Sequence, residues 1–280
     1  MRILSLLFIG AAVCFAQNWE PDITNARFEN RAVSGNLESQ LRASSPTWFG
    51  YAVPAARGDH ESCCWNNSSR CGCSLEGEKT RSINVTRSDR PVQLEGSNAI
   101  AVLFRVENNA VQKIQLYSLS CPLDAGGMPF VWLTGISVKA SLSYLEKLVT
   151  GSASNHLQDA AILAISQHDD PEALNYLIQT AKNAASAHIR SQTIFWLAQK
   201  AGKRAASTIT DAIENDPNTE VKKSAVFALS QLPEGDGVPK LIAVAKSQKN
   251  AEIRKQAFFW LGQSKDPRAL AFIEEVLTRQ

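Results

Sequence analysis

The residues best suited to chemistry in this chain are its thiols. Beyond Cys14, near the start, there are five: Cys63, Cys64, Cys71, Cys73 and Cys121, four of them within the segment Cys63-Cys64-Trp-Asn-Asn-Ser-Ser-Arg-Cys71-Gly-Cys73. Such a cluster has three uses: covalent staples, a metal site or redox exchange. Staples are the expected use, because a loop rich in Ser and Asn has too little apolar surface to hold itself together and clustered cysteines outside a reducing compartment pair by default. The adjacent Cys63 and Cys64 point in different directions, so they would bridge to different partners rather than to each other, with Cys71, Cys73 and Cys121 as the candidates. With His60 nearby a metal site is the sharper alternative, but the spacing C-C-x6-C-x-C lacks the paired C-x-x-C of structural zinc sites, and no metal is expected. A redox role for an odd fifth thiol has no C-x-x-C beside a βαβ pattern to support it.

Other reactive constellations are sparse. His156, His168 and His188 fall near helix ends or turns, and the chain has no G-x-S-x-G, H-E-x-x-H or G-x-x-x-x-G-K-[ST]. No catalysis and no cofactor are therefore expected. Lys plus Arg number 29 against 27 Asp plus Glu, a formal net charge of +2. That near-balance argues against a nucleic acid or membrane surface held by bulk charge.

Three regularly spaced sets remain. Arg190, Lys222 and Arg254, with Gln158 at the matching earlier place, form a ladder that could receive an acidic partner, or could be the solvated face of successive helices; Lys223 and Lys255 adjoin it. Gln167, Gln199, Gln231 and Gln263 recur at helix ends, where side-chain amides would bond turn carbonyls or one another. Trp196 and Trp260 alternate with Ala164 and Ala228, a large-small pattern suited to interdigitated packing.

The element behind all three sets is an eleven-residue phrase occurring four times: Leu157 to Gln167, Ile189 to Gln199, Val221 to Gln231 and Ile253 to Gln263, each starting 32 residues after the last. In the final copy Ile253, Ala257, Phe258, Trp260 and Leu261 cover one broad helical face. A polar turn follows, with Asp170-Pro171 in the first unit and Asp266-Pro267 in the last as helix starts, and then a second helix carrying Leu174, Leu177 and Ala181 or their counterparts. Helical repeats of fixed length bury their apolar faces only by stacking, which predicts an α-solenoid of four two-helix units over residues 151–280.

Units of this length, with DPEAL or DPRAL opening the second helix, resemble HEAT repeats, in the short subtype also seen in phycobilisome-lyase-like proteins. The resemblance implies the fold and a scaffold role in protein–protein interaction. A lyase or chromophore-attachment enzyme is the alternative it brings. The repeated His-Glu pairs of an iron-dependent HEAT-like hydroxylase are missing: His60-Glu61 stands alone, outside the repeats.

Residues 1–16 join Arg2 to an apolar run from Ile3 to Val13 and small residues at Cys14 and Ala16, which reads as an export signal cleaved after Ala16. The run is too short to span a bilayer, and no second stretch of membrane length follows. The expected location is therefore periplasmic or secreted. From 17 to 150 the pattern turns strand-rich: Thr47–Pro54, the alternating Arg81–Arg87, and Ala99–Val106 with Val111–Leu119 joined by a turn at Glu107–Ala110, where Asn tolerates positive φ. Phe130–Leu133 makes another strand, Asp124–Gly127 a turn and Ser137–Val149 a helix that could cap the first repeat. The WFGYAVPA, cysteine-loop and CPLDAGG segments are similar to an amino-terminal module found with HEAT-like repeats in some exported bacterial proteins, a likeness that brings no activity with it. Asn66, Asn67 and Asn84 each open an N-x-[ST] triplet. Together these readings predict an α+β chain whose solenoid surface takes a protein or peptide partner, with Arg190, Lys222 and Arg254 as candidate contacts.

Overall fold

The computed structural model describes residues 19–33, 36–55, 63–66, 69–71, 73–77, 98–151 and 153–278. The export signal, the 81–87 strand, His60 and Asn84 lie outside the described residues, as do the side chains of Cys64–Asn66, Ser69–Cys71, Lys203 and Glu234.

The amino-terminal part runs β1 (Asp22–Thr24), β2 (Arg27–Ala32), a single turn α1 (Leu37–Gln40), β3 (Thr47–Pro54), β4 (Cys64–Asn66), β5 (Ser69–Cys71), β6 (Cys73–Ser74), β7 (Ala99–Glu107), β8 (Ala110–Ser118), β9 (Pro122–Asp124) and β10 (Pro129–Thr134). Its principal sheet has the order β2-β10-β3-β7-β8. The first three strands are parallel, β7 and β8 antiparallel. The β7–β8 hairpin turns through Asn108 and Asn109, both at positive φ, as the Asn-Asn pair predicts.

This sheet is covered on both faces, which explains why β3 and β7 are nearly continuous apolar runs rather than alternating ones. Trp48, Leu103, Phe130 and Trp132 face a smaller parallel sheet, β1-β9-β6, and the cysteine segment. Phe49, Tyr51, Val102, Phe104 and Val131 face the helices. Gly50 has no room for a side chain: a Cβ there would fall 2.6 Å from Leu103 Cδ2 and 2.9 Å from Trp132 Cζ3.

After β10 the pattern turns helical. Helix α2 (Val138–Thr150) covers the sheet, and four pairs follow: α3 (Asn155–Gln167) with α4 (Pro171–Asn183), α5 (Ala187–Ala201) with α6 (Ala206–Asn215), α7 (Thr219–Ser230) with α8 (Glu234–Ser247), and α9 (Ala251–Gln263) with α10 (Pro267–Thr278). A short 3₁₀ turn, Gly202–Ala205, leads into α6. Each first helix opens on a side-chain cap, from Ser154, Ser186, Asn218 and Asn250 respectively. Pro171 and Pro267 occupy the first helical positions of α4 and α10, where a missing N–H costs nothing. Each first helix packs on the next, α3 on α5, α5 on α7 and α7 on α9. One apolar core therefore extends from the inner sheet face through Leu142 and Leu145 of α2 to Ile253, Leu261 and Phe272. The result is an α+β chain with a HEAT-like solenoid, as the repeat period and the helix-start signals imply.

Candidate functional site

The basic ladder finds its partners inside the repeats. Arg190 is only 8% exposed and forms a bidentate pair with Asp216, Nε to Oδ2 at 2.7 Å and Nη2 to Oδ1 at 2.9 Å. Its Nη1 donates to the carbonyls of Ala184 and Ala185, just past the end of α4. The Asp216 hydrogen bonds hold the guanidinium more basic than usual against the cost of burial. Burial pushes the Asp216 carboxyl up, but Arg190 and the Asn218 N–H outweigh it and leave it below the usual range. Lys222 Nζ donates to Glu214 O at 2.7 Å, at the end of α6, and Arg254 Nη1 to Gln248 O and Lys249 O, both at 2.8 Å, beyond α8.

Gln158 completes the series, its amide donating to Val149 O and Gly151 O at the end of α2. In every unit, then, the second residue of the repeated phrase satisfies the orphan carbonyls of the helix before it. The structure thus places Arg190, Lys222 and Arg254 in helix-end caps, Arg190 buried and the other two half-buried. Nothing local in the sequence revealed this, since the carbonyls and Asp216 are brought in by the fold.

The adjoining lysines behave differently. Lys223 bridges Glu220 of its own helix and Glu252 of α9, each at 3.0 Å. At the equivalent place in α3, Asp159 bonds His188 of α5 at 2.7 Å. Lys255, next in that series, is exposed and has no carboxylate partner among the described residues.

The Gln series makes bonds more local than expected. Gln167 and Gln231 donate to the hydroxyls of Ser166 and Ser230, which themselves donate to Leu163 O and Phe227 O. Trp196 and Trp260 are half-buried members of an aromatic row along the first helices. Phe195 stacks on Phe227 at 5.9 Å, and Phe227 meets Trp260 at 4.9 Å.

Among the cysteines, Cys63 and Cys121 form a disulfide with Cα atoms 5.5 Å apart, tying the loop to the β8–β9 connection. Cys73 is also disulfide-bonded and fully buried. Cys64 and Cys71 are register partners across the β4–β5 hairpin. No group of three His, Cys, Asp or Glu side chains among the described residues is placed to hold a metal ion.

One buried polar network escaped sequence reasoning. His168 Nδ1 lies 2.8 Å from Ala164 O, which can only accept, so the ring proton sits on Nδ1. The other nitrogen, Nε2, accepts from Ser141 Oγ at 2.8 Å, and Ser141 in turn accepts from Tyr51 OH at 2.7 Å. Burial pushes the His168 pKa down to about 4, against the Ala164 bond, with the Lys200 charge adding to the depression. Lys200 of α5 donates to Ser166 O at 3.1 Å and to His168 O. A serine beside an imidazole suggests a nucleophile, but all three side chains are sealed in the core, where no substrate reaches. The network instead joins sheet, α2 and α3. The backbone reinforces it, with Asp169 N donating to Pro54 O at 3.0 Å.

Two open clefts flank these features. One of about 450 Å³ lies between α1, the β7–β8 hairpin and α2, lined by Glu38, Arg42, Asn109, Tyr144 and Lys147. The other, about 230 Å³, lies beside the Arg190–Asp216 pair. Neither gathers convergent reactive groups.

Residues 206–280 match the family model for HEAT repeats. Similar solved structures include the CpcE–CpcF complex of phycocyanin lyase from Nostoc sp. PCC7120, with 20% identity over 50% of this chain and 90% of that one at a TM-score of 0.39. Human deoxyhypusine hydroxylase in complex with glycerol shows 18% identity over 48% of this chain and 43% of its own, at a TM-score of 0.35. The match thus spans less than half the length of the hydroxylase. No curated protein matches the sequence. No helix among the described residues is long and apolar enough to cross a membrane.

Proposed function

We propose that the chain is an exported, non-catalytic scaffold that holds a protein or peptide partner along the wall formed by its second helices. The observation that carries this reading is the division of labour between the two helices of each unit. The first helices spend their polar side chains on neighbouring repeats and helix ends, through Gln158, Arg190, Lys222, Lys223 and Arg254. The second helices leave theirs facing outward, as at Gln179, Asp211 and Glu214. A wall built from successive units spreads contacts over a long surface without a deep pocket, and a few anchors on it would supply most of the affinity.

Export is supported by the leader pattern and by the Cys63–Cys121 disulfide, since such bonds persist in oxidising compartments. Edman or mass-spectrometric reading of the amino terminus should find Gln17 first; a retained Met1 would refute cleavage after Ala16. For the binding role, full-length tagged chain is purified from the exported fraction beside an Asp211→Lys, Glu214→Lys variant. A stoichiometric partner retained by the wild type and lost by the variant is expected. The same companions on both chains, or none on either, would overturn the assignment to this wall.

A further inference from the structure

The solenoid's two ends are not alike. At one, α2 and the sheet cover the first repeat. At the other, α9 and α10 expose positions that earlier units bury or half-bury against their successors.

Phe259 is 54% exposed, whereas its counterparts Phe195 and Phe227 each pack against an aromatic ring of the next unit. Leu270 is 60% and Leu277 67% exposed, although Val238 and Ala245, one repeat earlier, are buried. A Cβ added at Gly262 would meet nothing within 4 Å, where the matching Ser166 and Ala198 are buried and Ser230 is half-buried. Lys255 extends the series in which Lys223 holds Glu252 of the following helix, but has no such carboxylate among the described residues. The stacking surface of the earlier units therefore recurs on α9 and α10, with no further helix packed on it among the described residues.

We propose that this end face, at Lys255, Phe259, Leu270 and Leu277, docks an amphipathic helix of another protein that carries a carboxylate and, eight residues on, a large aromatic. The repeats themselves define that occupant: Glu252 and Trp260 stand in this relation on α9, where they meet Lys223 and Phe227 of α7. A glutamate in that position would pair with Lys255 while the aromatic covers Phe259 and the remaining apolar side chains close over Leu270 and Leu277. A second copy of this chain fits less well. Its covered end is under the sheet, and at its open end Glu252, the carboxylate in the matching place, is already held by Lys223 of the same chain. The surface is separate from the second-helix wall, so the two readings stand or fall independently.

The probe is a fluorescein-labelled helix with the sequence of residues 251–263, stapled on the side away from its Glu and Trp, titrated by anisotropy into the full-length chain. Saturable binding is expected, weakened about tenfold or more by Phe259→Ala and by Lys255→Glu. A second probe, carrying Lys in place of its Glu, supplies the charge swap: it should regain affinity on the Lys255→Glu chain. Asp211→Lys with Glu214→Lys should leave probe binding unchanged, which separates failure here from failure of the wall. All substituted side chains are exposed, so circular dichroism should show intact helices. Absence of saturation near ~1 mM, binding indifferent to Phe259→Ala and Lys255→Glu, or a self-dimer in sedimentation that Phe259→Ala dissolves would each overturn the proposal.

Discussion

The substitution His168→Gln makes a pH-dependent part of the stability disappear. In the folded chain the ring stays neutral, because burial strips the charged form of water and Lys200 lies close, while Nε2 is engaged as an acceptor by Ser141. In the unfolded chain the ring takes a proton near its ordinary 6.5; folded, it does so only near about 4. Between those values the unfolded state binds more protons, so this contribution is full above about pH 6.5, falls as pH drops and is exhausted below about 4. At about 1.4 kcal/mol for each pH unit, the loss is at most about 3 kcal/mol. The introduced glutamine amide would still accept from Ser141 and donate toward Ala164 but would not titrate. The variant should therefore cost about 1–3 kcal/mol at pH 7 through imperfect hydrogen bonding, and that deficit should shrink or reverse by about pH 4.5. Urea unfolding of both chains at a series of pH values across this window measures the difference directly, and the shared carboxylate titrations cancel in it. Parallel stability curves would refute the neutral buried imidazole.

Other perturbations have equally definite outcomes. Arg190→Met strands Asp216 among buried neighbours and should cost about 3–5 kcal/mol by chemical denaturation, while Arg190→Met with Asp216→Leu should recover much of it; a loss under about 1 kcal/mol for the single variant would return Arg190 to the solvated surface. Gly50→Ala drives a methyl into Leu103 and Trp132 of the doubly covered sheet and should cost about 1–3 kcal/mol, seen as a lowered Tm; an unchanged Tm would contradict the close approach. Cys63→Ser with Cys121→Ser opens a loop of sequence separation 58 and should cost about 2–4 kcal/mol, whereas unaltered denaturation would show that the bond constrains nothing in the unfolded chain.

What the sequence disclosed and what it withheld follow from the range of the interactions. The 32-residue period, the helix starts at Asp170-Pro171 and Asp266-Pro267 and the Asn108-Asn109 turn are local, and the structure bears them out. Parallel pairing of β2, β10 and β3 was hidden because its partners are far apart in the chain, and β2 itself, Arg27–Ala32, is mostly polar and exposed along the sheet edge. Arg190 looked like a surface cation because its partner Asp216 lies beyond α6, at the far end of the unit. His168 read as a turn residue for the same reason: Tyr51 and Ser141 reach it only after the sheet has packed on α2 and α3. Lys255 and Phe259 show the opposite case. Their types were plain, but exposure belongs to the packed chain and not to any local pattern.

Photo-crosslinking tests the scaffold role most directly, with a reactive residue placed in turn at Gln179, Asp211 and Ala243 on the second helices and at Glu29 and Gln112 on the sheet. One partner should be captured from all three helical positions and from neither sheet position. Equal capture from both sets, or capture only from the sheet, would contradict that role.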